Sequence, residues 1–462
     1  MNNPRTGALI SPFSLGLLAM LFIPAIAGAG NISLEIKAAS HELRPGFSTV
    51  VWAYDGLVPG TPIVAVPGER MVIEVVNRLD VPTNIHWHGL NVPVEQDGPG
   101  VLIAPGGSHT YDFTVEESGT YWYHSHQTPV LEQMDMGLYG ALIVKDPADS
   151  KYSGDHTIVL DDWLLDANGE RLAGTARGGM ERLGNVESVN GKTGSAVEPL
   201  VLKKGELHKL RFINASTAAV HTLKVTGHEF RVTHTDGHAL SKPYISDTIT
   251  LSPGERIDAE ISATDGFGKS FEILSGRPRL GIRIPIAYAA GEVRTVASPF
   301  IPPQSRAFAG IFERAPDEVL VLNSGMGSPG SGGTMMSSMM GMMMGGSAAG
   351  MGMVWTINGK AYPNTDPISV KVGQTVKLRF KNEDTMGGHP MDHPIHLHGA
   401  YFQVVSIDGA APDREIWKDT INVPAGKFVD IAFVMQYPGE WMLHCHIIDH
   451  EDNGMLTVVD AR

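Results

Sequence analysis

Hydrophobic and polar residues alternate over short stretches along the whole chain, as in Met71-Val-Ile-Glu-Val-Val-Asn77, Lys209-Leu-Arg-Phe-Ile-Asn214 and Val376-Lys-Leu-Arg-Phe-Lys-Asn382. A period of two puts one set of side chains on a buried face and the other on an outer face, which is the pattern of a half-buried β-strand. Gly and Pro punctuate these runs, and hardly any stretch keeps the 3.6-residue period of an amphipathic helix. The pattern predicts an all-β protein made of Greek-key β-sandwiches. At 462 residues the chain is long enough for three such domains. We place them at 30–148, 149–302 and 303–462, with Pro299, Pro302 and Pro303 at the second junction.

The three alternating strands above are copies of one pattern, each ending in Asn (Asn77, Asn214, Asn382) and each followed by a gap and a second alternating strand. In the first copy His86 and His88 fall nine and eleven residues after the Asn, whereas the same offsets in the middle copy give Leu223 and Val225. The middle domain is therefore expected to carry no ligands. A second repeat pairs Gly119-Thr-Tyr-Trp-Tyr-His124-Ser125-His126 with Gly439-Glu-Trp-Met-Leu-His444-Cys445-His446, so that Ser125 occupies the place of Cys445.

Composition and charge narrow the classes of function. The chain carries 35 basic and 50 acidic residues, a net charge of −15, which disfavours nucleic acid as a partner. No charge separates Arg5 from Glu35, and the interval holds a short apolar core at 15–23 and the small residues Ala25-Ile-Ala27. This predicts a signal peptide over 1–29, cleaved after Ala27 or Ala29, and export to the periplasm or beyond. No other stretch is apolar enough to span a bilayer, so no membrane contact is expected after cleavage. The chain is expected to act as a monomer. Its one cysteine, Cys445, excludes an internal disulfide and any cage of several thiolates.

The histidines carry the chemistry. Residues i and i+2 of a strand face the same way, so each His-x-His presents two imidazoles on one face. Four such pairs occur, His86/His88 and His124/His126 in the first domain and His396/His398 and His444/His446 in the last. Folding the ends of the chain together would assemble eight imidazoles in one interdomain site. Cys445, between two of these histidines, faces the other way. A loop after His446 can return His450 and Met455 to the cysteine side, and His393 can approach it from the neighbouring segment. Two imidazoles, a thiolate and a distant thioether form the trigonal set that suits copper in electron transfer. Zinc, which has no redox chemistry, needs no such wiring.

Taken together, His86-Trp-His88-Gly, Trp122-Tyr-His124-Ser-His126, His393-Pro-Ile-His396-Leu-His398-Gly and His444-Cys445-His446-Ile-Ile-Asp-His450-Glu451-Asp-Asn-Gly-Met455 resemble the multicopper oxidases, a family of three-domain cupredoxin proteins that includes laccases and bacterial cuprous oxidases. The resemblance spans nearly the whole mature chain. It implies four copper ions: a type 1 ion on His393, Cys445, His450 and Met455, a type 2 ion on His86 and His396, and a type 3 pair on His88, His124, His126, His398, His444 and His446. It also implies a reaction in which four one-electron oxidations of a reductant are coupled to reduction of O2 to two waters, with Cys445 as the electron conduit. Reducing O2 consumes protons inside a buried site. Asp97 and Glu451 resemble the family's relay acids, and Asp419 resembles a supporting position. A nitrite reductase of the same fold would have no use for four His-x-His pairs.

The reductant is suggested by one segment. Residues 324–353 contain 10 Met, 10 Gly and 6 Ser among 30, a composition that cannot build a core. Thioethers are soft ligands that prefer Cu(I). Met335, Met336, Met339, Met340, Met342, Met343, Met344, Met351, Met353 and Met391 are the candidate Cu(I)-collecting residues, and Met386 lies near them. The segment resembles the Met-rich insertion of bacterial cuprous oxidases of copper tolerance, although it lacks interleaved His or Asp, and Asp392 is the one acid beside His393. The expected partners are O2 and either Cu(I) or a small organic reductant. Laccase-like oxidation of phenols or diamines, and copper sequestration with incidental oxidation, are the competing readings.

Overall fold

A computed structural model describes residues 31–172, 181–276, 281–293, 300–327, 352–385 and 390–462. The signal segment 1–29, Met386 and the candidate ligands Met335, Met336, Met339, Met340, Met342, Met343, Met344 and Met351 lie outside the described residues. The fold is all-β. Among the described residues the α-helices are single short turns, Val94–Asp97, Val130–Asp135 and Ile448–Asp452.

The strands form six sheets that pair into three sandwiches. The first has two four-stranded sheets, and the middle and last each have one of six and one of five. Each sandwich closes over its own apolar core, drawn from the inward positions of the alternating strands, such as Met71, Ile73 and Val75 in the first and Val376, Leu378 and Phe380 in the last. A further cluster, including Trp122, Trp163, Ile213 and Ile448, joins all three.

The three sandwiches repeat one pocket, and the backbone shows it. The Cys445 N–H donates to Met455 O at 3.0 Å, as Ser125 does to Leu138 (3.1 Å) and Ser275 to Ile282 (3.0 Å). On the neighbouring strand His393 lies opposite Val423, His221 opposite Leu251 and Thr83 opposite Ile103. The side-chain amides of Asn382, Asn214 and Asn77 donate to the carbonyls of those same partners. In the first sandwich the pocket is closed by hydrogen bonds: Thr83 and Ser125 both donate to Gln133 Oε1, at 2.8 and 2.7 Å. In the middle one Ser275 donates to Glu187 at 2.9 Å, and Ser216 Oγ lies 2.8 Å from His221 Nε2. Among the described residues, sulfur with two imidazoles occurs in the last sandwich alone.

This register corrects the offsets counted from Asn. Leu223 pairs with Ser275 as Ile395 pairs with Cys445, so Lys224 and Thr226, not Leu223 and Val225, stand where His396 and His398 do. The loop from Asn to the aligned position is six, seven and eleven residues long in the three copies (Thr83, His221, His393), and a one-residue slip turns a strand side chain to the other face.

Candidate copper centre

Two strands of the first sandwich, His86–His88 and Gly119–His124, pair with His86 opposite His124. In the last sandwich His393–Leu397 and Gly439–Cys445 pair with His396 opposite His444. The two-residue period turns both His-x-His sets of each sandwich toward the other sandwich, and all eight imidazoles are buried. Three groups converge: His86, His88 and His396; His88, His124 and His446; and His126, His398 and His444. His86 Nε2 lies 3.4 Å from His396 Nε2, His88 Nδ1 3.4 Å from His124 Nε2, and His398 Nε2 3.0 Å from His444 Nε2.

The far nitrogens of six rings point at acceptors, which fixes the proton there and leaves the facing nitrogen free to ligate. His86 Nδ1 meets Asp97 O at 2.9 Å, and His398 Nδ1 meets Asp97 Oδ2 at 2.7 Å. Asp419 serves two more, its Oδ1 lying 3.0 Å from His88 Nε2 and its backbone O 2.9 Å from His396 Nδ1. His124 and His444 face the carbonyls of Ser125 and Cys445. Glu451 lies between His444 and His126, 3.0 Å from His444 Nδ1, the nitrogen that also faces the Cys445 carbonyl, and 3.4 Å from His126 Nε2.

A second constellation lies one residue away along the chain. Cys445 Sγ is 3.7 Å from His393 Nδ1 and 3.5 Å from His450 Nδ1, and those two nitrogens are 3.2 Å apart. Met455 is buried in the same core. His450 is brought to the sulfur by the helical turn Ile448–Asp452, and the Trp355 ring stacks on it with centroids 4.3 Å apart.

The donor sets fit copper. Burial pushes the imidazoles of His88, His124, His398 and His446 well below their ordinary range and His126 down to about 3, so these rings are neutral, as ligands must be. His446 is buried and neither ring nitrogen has a hydrogen-bond partner, an expensive state unless a metal satisfies it. Burial pushes the Cys445 thiol well up, so a thiolate there is stable only beside a cation. Soft sulfur with imidazoles selects copper among redox metals. For Glu451 burial works to raise the pKa, but His444 and His126 outweigh it and hold the carboxyl below its ordinary range.

Sequence reasoning missed two residues. The acid beside His393 is not Asp392, which is exposed and is tied to Asn422 and the Ala425 N–H. It is buried Asp384, whose Oδ2 lies 3.3 Å from His393 Nε2 and whose Oδ1 accepts from Ser324 at 2.6 Å. The other is Arg256, a buried guanidinium from the middle sandwich that grips Asp419. Neither lies in a histidine motif. The Asn382 side chain that caps Asp384 N–H is the one sequence signal near the first. Met353 is half-buried against the last core, and Met391 is half-buried two residues before His393.

Three sequence-family models, each described as multicopper oxidase, match residues 35–149, 154–278 and 336–462. The chain is 32% identical to the multicopper oxidase MmcO of Mycobacterium tuberculosis, over 95% of this chain and 92% of that one. It is 25% identical to Laccase-1 of Cryptococcus neoformans, over 99% of this chain and 84% of that one. Among solved structures it resembles a multicopper oxidase from Campylobacter jejuni, described as a metallo-oxidase, with a TM-score of 0.75 and 27% identity, covering 93% of this chain and 91% of that one.

Proposed function

Because the chain belongs to the multicopper oxidase family, a family of copper enzymes that oxidise a reductant with O2, we propose that it is an exported cuprous oxidase serving copper tolerance and holding four copper ions. In this reading His393, Cys445, His450 and Met455 hold type 1, His86 and His396 hold type 2, and His88, His124, His126, His398, His444 and His446 hold the type 3 pair. When bound, the coppers supply one-electron acceptance at the first site and four-electron reduction of O2 to water at the cluster. Cys445 would provide the covalent route between the two sites, because its backbone runs directly into His444 and His446. Asp97, against His398, and Glu451, between His444 and His126, hold and pass the protons that water formation consumes.

The observation that carries the Cu(I) reading is the tie from Ser324 through Asp384 to His393. Ser324 lies on the strand Glu318–Gly327 that leads into the Met-rich segment, and this strand pairs with Gly352–Ile357, which leads out of it and carries Trp355 onto His450. The segment thus leaves and returns beside both imidazoles of the type 1 set. Asp384→Asn removes the charge beside His393 Nε2 and is expected to slow reduction of the blue centre about 10- to 100-fold, the usual cost of losing an outer-shell partner. Stopped-flow bleaching with Cu(I) measures it, and an unchanged rate removes Asp384 from the pathway.

A second reading, laccase-like oxidation of phenols, is favoured by the likeness to Laccase-1. O2 uptake with Cu(I) and with a phenol separates the two. A variant lacking residues 335–353 should lose most Cu(I)-driven uptake and keep or gain uptake with the phenol, since thioether capture and restricted access disappear together. Absence of Cu(I)-driven uptake in the full-length protein would overturn the cuprous oxidase reading. Equal rates in both proteins would overturn only the role of the segment.

A further inference from the structure

The middle sandwich contributes none of the proposed ligands, yet it sends one side chain to the wall of the cluster. Arg256, on the strand Arg256–Ser262, is fully buried. A guanidinium has five N–H donors, and all five are used here. Nε donates to Thr120 O at 3.1 Å. Nη1 donates to Gly254 O at 3.2 Å and Asp419 Oδ1 at 2.7 Å. Nη2 donates to Asp236 O at 3.1 Å and Asp419 Oδ2 at 2.6 Å. The acceptors come from all three sandwiches, and the contact with Asp419 is bidentate, the geometry that fixes a carboxylate in angle as well as distance.

Asp419 is where this matters. Its Oδ1 takes the Nε2 proton of His88, leaving Nδ1 to face His124 Nε2 at 3.4 Å. Its backbone carbonyl takes the Nδ1 proton of His396, leaving Nε2 to face His86 Nε2 at 3.4 Å. One residue thus sets the tautomer and tilt of one ring assigned to type 3 and one assigned to type 2. Asp236, itself buried, extends the brace: its side chain accepts from the N–H groups of Arg256 and Thr420 and lies 3.0 Å from Lys418 Nζ. From the turn that leads into the strand Arg256–Ser262, Gly254, at φ +85°, packs against the His446 ring, where an added Cβ would come within 2.8 Å.

We infer that Arg256 is a positioning residue for the copper cluster, acting through Asp419 to hold His88 and His396 in the tautomers and orientations that ligation requires. Through Arg256 the middle sandwich orients ligands it does not supply. The inference rests on the proposed ligand assignment. An ammonium cannot reproduce the two-point grip, so Lys in place of Arg256 leaves a compensating charge but frees the carboxylate to rotate.

The test uses full-length, copper-loaded protein. In Arg256→Lys the blue absorption of the type 1 site should be unchanged, the type 2 EPR spectrum should shift, and copper affinity of the cluster should fall about 10- to 100-fold. The rate of O2 reduction should fall while KM for the reductant holds. Arg256→Gln alone leaves Asp419 buried without its cation. The paired change Arg256→Gln with Asp419→Asn removes both charges together and should fold with the same altered type 2 spectrum. Arg211→Gln is the control, because Arg211 is also buried, bonds Asp155 and Asp258 within the middle sandwich and reaches the first at Thr120 Oγ1, while none of its hydrogen bonds goes to Asp419 or to a cluster histidine. It should lower Tm and leave the type 2 spectrum as in wild type. Wild-type cluster affinity and EPR in Arg256→Lys and the paired variant would overturn the inference. Equal spectral change in Arg211→Gln would also overturn it, by showing that general loosening suffices. A wild-type protein with no type 1 or cluster copper would instead refute the ligand assignment itself.

Discussion

Cys445→Ser is expected to abolish the blue absorption and to lower reductant-driven O2 uptake at least about a thousandfold, equivalent to ~4 kcal/mol on the barrier. Serine keeps the shape of the pocket; Ser125 and Ser275 occupy the same place in the other two sandwiches with the same backbone hydrogen bond. What it removes is the thiolate, the one soft anionic donor between His393 and His450, and with it the covalent route into His444 and His446. The rings of His444 and His446 project from the opposite face of the strand, so the cluster should survive. The measurement is optical and EPR spectroscopy with O2 uptake on one preparation. Retained blue colour in the variant would show that another sulfur ligates.

Asp97→Asn and Glu451→Gln carry the second large effect. Each carboxylate is buried against histidines assigned to the cluster, Asp97 Oδ2 at 2.7 Å from His398 Nδ1 and Glu451 at 3.0 Å from His444 Nδ1. The amides keep a hydrogen-bonding oxygen but cannot take up and release a proton at working pH. Each change is expected to slow reoxidation of the enzyme by O2 about 10²- to 10⁴-fold, the range of a lost general acid. Reduction of the blue centre should keep its wild-type rate, because the carboxylates of Asp97 and Glu451 face cluster histidines and not Cys445, His393 or His450. Stopped-flow bleaching followed by O2 pulses separates the two steps. Slowed bleaching with normal reoxidation would contradict the relay.

Much of this was legible in the sequence because strand periodicity is local. His-x-His fixes two rings on one face wherever the strand lies, and placing Cys445 between His444 and His446 sends it to the other face without any knowledge of the fold. The all-β class followed from the same alternation. What was not legible depended on loop lengths and on distant pairing. Asp384 precedes His393 by nine residues, a separation to which no strand or helix period assigns a contact, and the 3.3 Å approach of the two side chains appears only in the folded chain. Arg256 lies 163 residues from Asp419 and carries no local sign of its partner. The middle copy was misaligned because its loop after Asn214 is one residue longer than the loop after Asn77, from which the offsets were counted. Gln133 could not be matched to His450 by spacing, since it follows Ser125 by eight residues where His450 follows Cys445 by five.

In the proposed assignment one chain holds a lone copper at Cys445 and, separately, a three-copper cluster divided between its first and last sandwiches. The decisive measurement is copper content per chain on wild type and Cys445→Ser after identical loading, read together with their EPR spectra. Four ions in wild type and three in the variant, with the type 2 signal intact in both, is the predicted result. Fewer than four ions in wild type, or loss of the cluster along with the type 1 ion, would contradict it.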